Sequence, residues 1–178
     1  MINFINLKAK EGLGENLIIK DLFEYNWHCR KKFLKSMAGL PWETVTEDCG
    51  ASFESMRDIF IHSLQAEQFW IRLLTKKNPQ GIWETPFSKF SSVKEIQDYA
   101  NKVEVETMEY LNSLTDKKLK DIIEFTGWDK KTHKHKVEDV LIHMIEEEIH
   151  HRGELLCIYW QHDIQPPYTS YMAYKGEV

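Results

Sequence analysis

Apolar residues return every three or four positions along four long stretches of this chain, and that period leaves little choice of fold. The first stretch runs from about Leu17 to Gly39, with Asn16 as a candidate cap and Gly39 and Pro41 as stops. The second runs from about Ser52 to Lys76, opened by Ser52 or Ser55 and ended by Asn78 and Pro79. The third spans about Ser92 to Ser113, with Ser91 or Ser92 as cap and Glu95 in the capping-box position. The fourth runs from Val137 to His162 and stops before Pro166 and Pro167. Four amphipathic helices in 178 residues are too many for anything but a mutual burial of apolar stripes. An all-α four-helix bundle, one domain over residues 1–178, is therefore expected. Two connections are longer. Residues 77–90 hold Pro79, Gly81 and Pro86 and read as a loop. Residues 119–136 hold Ile122 to Phe125, then Gly127 to Lys130, then an alternation from Thr132 to Lys136, the pattern of a short hairpin before the last helix.

Charge and composition remove several functions. The net charge is −5, from 23 basic and 28 acidic residues. A mildly acidic domain has no general attraction for nucleic acid or anionic lipid. No run approaches the ~18 apolar residues of a membrane span. The N-terminal residues show no basic head followed by an apolar run, so a signal peptide is not expected. Cys29, Cys49 and Cys157 lie far apart, without C-x-x-C spacing, which argues against a disulfide framework or a Cys-rich zinc site. A soluble cytoplasmic protein acting on small molecules is the expectation.

The 8 histidines are the conspicuous residues, and three of them fall between Ile142 and Arg152. A helical wheel separates them. On the fourth helix His151 lies within the apolar arc that holds Val140, Leu141, Met144, Leu155 and Tyr159, and Glu147 lies on its edge. His143 and His150 point away. Glu147 and His151, spaced i, i+4, reach one point in space. On the second helix His62 falls just inside the apolar border, beside Phe69 and Leu73. His62, Glu147 and His151 thus converge as candidate ligands, from facing helices of a bundle interior. Two imidazoles and a carboxylate suit Zn²⁺, and also Fe²⁺, Ni²⁺ or Mn²⁺. Three protein ligands leave a coordination position open for water or substrate. The H-E-x-x-H arrangement of zinc proteases is absent, because His143 is followed by Met144.

Plainer readings stand beside these. A lone histidine on an apolar border, such as His62, is commonly a hydrogen-bonded core residue, and Glu146 to Glu148 is commonly a solvated face. Glu148 and Arg152 both project into the apolar arc and, spaced i, i+4, read as an internal salt bridge. The other reading makes Arg152 an anion anchor for substrate or an orienter of the ligands. His133 and His135 read as exposed, and Cys157 lies outside the apolar arc. Tyr25 and Trp27 read as core or groove lining, and Ile61 as a residue of the polar side that belongs to a dimer face.

The run from Leu141 to Leu156, with His150-His151-Arg152-Gly153-Glu154 inside it, resembles the last-helix signature of the DinB/YfiT-like superfamily. The run from Ile59 to Trp70 resembles that family's second helix, which carries its first metal histidine. Gly50 to Ser55 looks like the small-residue entry to that helix, and Tyr25-Asn26-Trp27 like the aromatic segment of its first. The likeness covers roughly residues 16–175. It implies a four-helix bundle, often a homodimer, holding a metal by one histidine of the second helix and an H-x-x-x-H pair on the last. Carried over, these positions are His62, residue 147 and His151; residue 147 is Glu here, so the implied set is two histidines and one carboxylate.

The resemblance implies a metal-dependent S-transferase using a low-molecular-weight thiol such as bacillithiol, with Arg152 holding a carboxylate of that thiol. Beside the resemblance, the three-ligand site itself is also read as a hydrolase using metal-bound hydroxide, or as a metal-binding or dimerising bundle without catalysis. The donor set itself also matches non-haem Fe(II) oxygenases.

Overall fold

In a computed structural model, residues 14–176 of the chain are described. The N-terminal stretch without a signal-peptide pattern lies mostly outside them. Helix α1 covers Glu15–Met37, α2 Trp42–Thr46, α3 Met56–Leu74, α4 Val93–Asn112, α5 Asp116–Leu119, α6 Val137–Gln161 and α7 Tyr171–Gly176. Strands β1, Ile122–Thr126, and β2, Thr132–Lys136, form an antiparallel hairpin between α5 and α6. No described helix is long and apolar enough to cross a membrane.

The long helices match the four periodic segments to within a few residues, and their ends follow the capping chemistry. The Ser55 hydroxyl accepts the Asp58 amide at 3.2 Å and opens α3. At α4 the Ser92 hydroxyl accepts the Glu95 amide, while the Glu95 carboxylate accepts the Ser91 amide at 2.7 Å. Each arrangement satisfies amides that the first helical turn leaves without partners. Asn16 does not cap α1. The helix begins at Glu15, two residues earlier than such a cap would place it, with Gly14 as its cap, and the Asn16 side chain reaches the Leu114 carbonyl instead.

Helix α3 packs on α4 and α6, and α1 packs on the same two, so α1 and α3 stand opposite each other across the interior. Two apolar cores result. One gathers Phe33, Met37, Ile59, Leu64, Ile96 and Tyr159. The other gathers Phe23, Trp27, Ile71, Leu111, Leu141 and Met144. Fully burying one such side chain contributes about 1.5–3 kcal/mol. Ile61 belongs to the first core and is 0% exposed, so it is not part of a surface face. Val45 of α2, a helix too short for its period to show, sits in the same cluster.

Between the cores lies a belt of buried polar side chains. Arg30 of α1 donates from Nη2 to Glu67 of α3 and to Glu148 of α6, at 2.7 Å each. Glu67 also accepts from Trp27 Nε1 at 3.2 Å and from the Thr107 hydroxyl of α4 at 2.7 Å. All four long helices therefore meet at one ionic cluster. Burial alone would lower the pKa of the Arg30 guanidinium, but Glu148 and Glu67 outweigh it and hold the group firmly protonated. Glu148 does not pair with Arg152. The Arg152 Nη1 donates to Asn26 Oδ1 at 2.9 Å, and the guanidinium lies over the Tyr25 ring, 5.1 Å from its centroid.

The hairpin turns through Gly127 to Lys131, where the Gly127 amide donates to the Lys131 carbonyl at 2.9 Å. Lys130 takes the left-handed conformation, φ 61°, that such a turn requires. The last described helix, α7, returns to α1. Lys175 Nζ sits 2.8 Å from Asp21, and the Tyr171 hydroxyl donates to the same carboxylate.

Candidate metal centre

His62 is carried by the middle of α3, and Glu147 and His151 by successive turns of α6. Because α3 and α6 pack side by side, the three side chains converge, and one ligand atom from each lies within 4.8 Å of the others. His151 is buried, while His62 and Glu147 are half-buried. His151 Nε2 lies 3.5 Å from Glu147 Oε2. Its other nitrogen, Nδ1, is engaged by Glu154 Oε2 at 2.6 Å. Burial pushes the Glu154 pKa up, but hydrogen bonds from Ser52 and His151 win and bring it below the usual carboxylate value. Glu154 is thus an ionised orienter that leaves His151 Nε2 facing Glu147 and His62. A carboxylate behind a ligating imidazole is the usual support of a metal histidine.

Among the described residues, His62 is held by rings rather than by hydrogen bonds. Phe53 stacks on it at 3.8 Å between centroids, and Trp83 and His151 flank it at 5.5 and 4.9 Å. Burial first, and then the nearby His151, push its pKa down to about 4. The imidazole is therefore neutral near pH 7, the form a metal ion needs. Two neutral-capable imidazoles from different helices, one carboxylate and a supporting carboxylate fit a divalent ion of the zinc, iron, nickel or manganese kind.

Two other groupings, His150–His151–Glu154 and His143–Glu146–Glu147, are close enough to share an ion. Each draws on α6 alone, and His143, Glu146 and His150 are exposed. Exposed acidic groups cluster without ions, so the two-helix set is the stronger candidate.

A cavity of about 600 Å³ opens beside His62, walled by Phe53, Trp83, Phe87 and Trp128, with Gln65 at its edge. Gln65 donates to the Ile82 and Thr85 carbonyls, which fixes the 77–90 loop as one wall. Arg152 is not among the residues lining this cavity; it faces Asn26 in the belt. His133 is half-buried and bonds Asp129 at 2.9 Å, while His135 is exposed. Cys157 is exposed, and all three cysteines are free thiols. Sequence reasoning missed Glu154, although its i, i+3 spacing from His151 was a readable signal. It also missed Phe53 and Trp83, whose approach to His62 depends on loops.

Comparison with known proteins places these observations in a family. The chain is 24% identical over 133 residues to the uncharacterised protein YizA of Bacillus subtilis (strain 168), covering 75% of this chain and 80% of that one. Its fold is similar to that of a DinB-like protein from Bacillus cereus ATCC 10987, with a TM-score of 0.66 at 21% identity over 85% of this chain and 95% of the other. A DinB-like protein from Bacillus subtilis superposes with a TM-score of 0.61 at 14% identity, over 86% of this chain and 97% of the other. The sequence pattern of the DinB family matches residues 9–177, and the chain belongs to that family.

Proposed function

We propose that this protein is a metal-dependent thiol S-transferase whose divalent ion is held by His62, Glu147 and His151. The observation that carries the reading is the convergence of these three ligands, within 4.8 Å, with one of them, His62, lining an aromatic cavity of about 600 Å³. A divalent ion, when bound, lowers the pKa of a coordinated thiol or water and so supplies a nucleophile near neutral pH.

The chain's own residues do the rest. Glu154 fixes the His151 ring and its tautomer. Phe53 and Trp83 fix the plane of His62. The apolar walls keep water from an electrophile lying against them, and Gln65 holds the loop that forms one wall. In the transfer, the sulfur of a low-molecular-weight thiol bonds to an electrophilic carbon. The bond from that carbon to its leaving group breaks with its electron pair, and the thiol proton passes to water. Arg152, tied to Asn26 and Tyr25, has a structural task in this reading and holds no substrate.

The test is metal-loaded protein with an electrophile and a panel of biological thiols, bacillithiol among them. Metal-dependent conjugate formation is the expected result. Turnover without thiol would assign a hydrolase instead, and metal binding without turnover would assign a non-catalytic bundle.

A further inference from the structure

A second cavity, of about 510 Å³, lies beside the first and shares the Trp128 indole with it. Its walls are Phe69 and Trp70 of α3, Phe125 of β1 and Trp128 of the hairpin turn, with Asp129 and His133 at the rim. The aromatic walls are braced from behind. Phe125 meets Trp70 edge-on at 5.2 Å, and His143 meets it from another side at 5.6 Å. Trp128 itself is 81% exposed. It stands over Phe69 with near-parallel rings at 6.4 Å, and beside Trp83 at 6.3 Å. A large indole left exposed on a tight turn, above a row of apolar rings, is the shape of a binding cleft rather than of a core.

Charge narrows the ligand. Among the described residues lining either cavity there is no Lys or Arg. The two titratable side chains at the rim, Asp129 and His133, are bonded to each other at 2.9 Å. A ligand anion would find no partner there, whereas a flat π-face would find several. His62 and Phe69 are seven residues apart on one helix, so the cleft and the candidate metal centre lie about 10 Å apart along α3.

We propose that the cleft between Phe69, Trp70, Phe125 and Trp128 binds a flat aromatic ring without negative charge, and that this ring is the body of the molecule whose reactive end lies at His62. The second half of the statement rests on the S-transferase reading; the first does not. Trp128 is then a specificity-determining residue of the hairpin, supplied by a segment outside the four-helix bundle.

The test is isothermal titration of the whole metal-free chain with 2-naphthol, and with 2-naphthoate as a probe of the same ring carrying a negative charge. Wild type binds 2-naphthol at least about tenfold more tightly than 2-naphthoate. Trp128→Ala weakens 2-naphthol about tenfold and Trp128→Phe restores part of it, the size expected for losing one stacking partner and its buried area. Thermal melting shows that both variants stay folded, as a change at an exposed residue allows. His151→Ala keeps wild-type affinity for 2-naphthol, because His151 does not line the cleft. Failure of wild type to bind 2-naphthol, equal binding by Trp128→Ala, or equal binding of 2-naphthoate overturns the cleft. Loss of metal-dependent conjugation with 2-naphthol binding intact overturns only the catalytic reading.

Discussion

The Nδ1 of His151 lies 2.6 Å from Glu154 Oε2, and this contact decides which nitrogen of the ring faces Glu147 and His62. Removing the carboxylate frees the ring to rotate and to change tautomer. Glu154→Ala is expected to weaken divalent-metal binding by about 10–100-fold, the usual effect of losing such a support. Competition against a metallochromic chelator at pH 7 measures it. Unchanged affinity would mean that Glu154 does not orient the site.

Arg30 bridges Glu67 and Glu148 where four helices meet. Arg30→Met leaves two carboxylates buried with no cation between them, and is expected to cost about 3–5 kcal/mol in urea unfolding. The combined variant Arg30→Met, Glu67→Gln, Glu148→Gln removes the stranded charges and should recover much of that loss. A single variant as stable as wild type would show that the belt carries little of the stability.

The docking of α7 responds to acid. Burial is the largest single influence and raises the Asp21 pKa, but the hydrogen bonds from Lys175 and Tyr171 and the Lys175 charge together outweigh it and hold the carboxyl below its usual value of 3.8. A carboxyl depressed in the folded state contributes stability above the unfolded value and loses it as pH falls through the folded one. Release of the C-terminal helix is therefore expected below about pH 4, read as increased proteolysis by pepsin near the C-terminus. Asp21→Asn should show the same sensitivity at higher pH. Equal cleavage of the two proteins at pH 5 would count against the contact.

The bundle was legible because its information is local. The 3.6-residue period, Ser55, Ser92 and the Pro stops mark helices without any knowledge of neighbours. The hairpin was legible for the same reason, from Gly127 to Lys130 between two short runs. The wheel also placed Glu147 and His151 on the side of α6 that meets His62, and left His143 and His150 outside. What failed was partner choice. The i, i+4 pairing of Glu148 with Arg152 is the natural reading along one helix. Arg30 lies 118 positions away and takes Glu148 because α1 and α6 pack together. Ile61 failed similarly: α2 packs on α3, and Ile61 and Val45 join one core that a wheel drawn on a single helix cannot show. The cavity walls come from the 77–90 loop and the hairpin turn, whose approach to α3 has no periodic trace in the sequence.

His62, Glu147 and His151 are expected to hold one divalent ion between them. Metal content of the purified chain, measured by mass spectrometry after equilibration with zinc, nickel, iron(II) or manganese in turn, tests it most directly. Wild type is expected to hold about one ion per chain, and each of His62→Ala, Glu147→Ala and His151→Ala to retain at least about tenfold less metal, for a site that loses one of three ligands. Equal metal in all four proteins, or none retained by wild type with any of these ions, would contradict it.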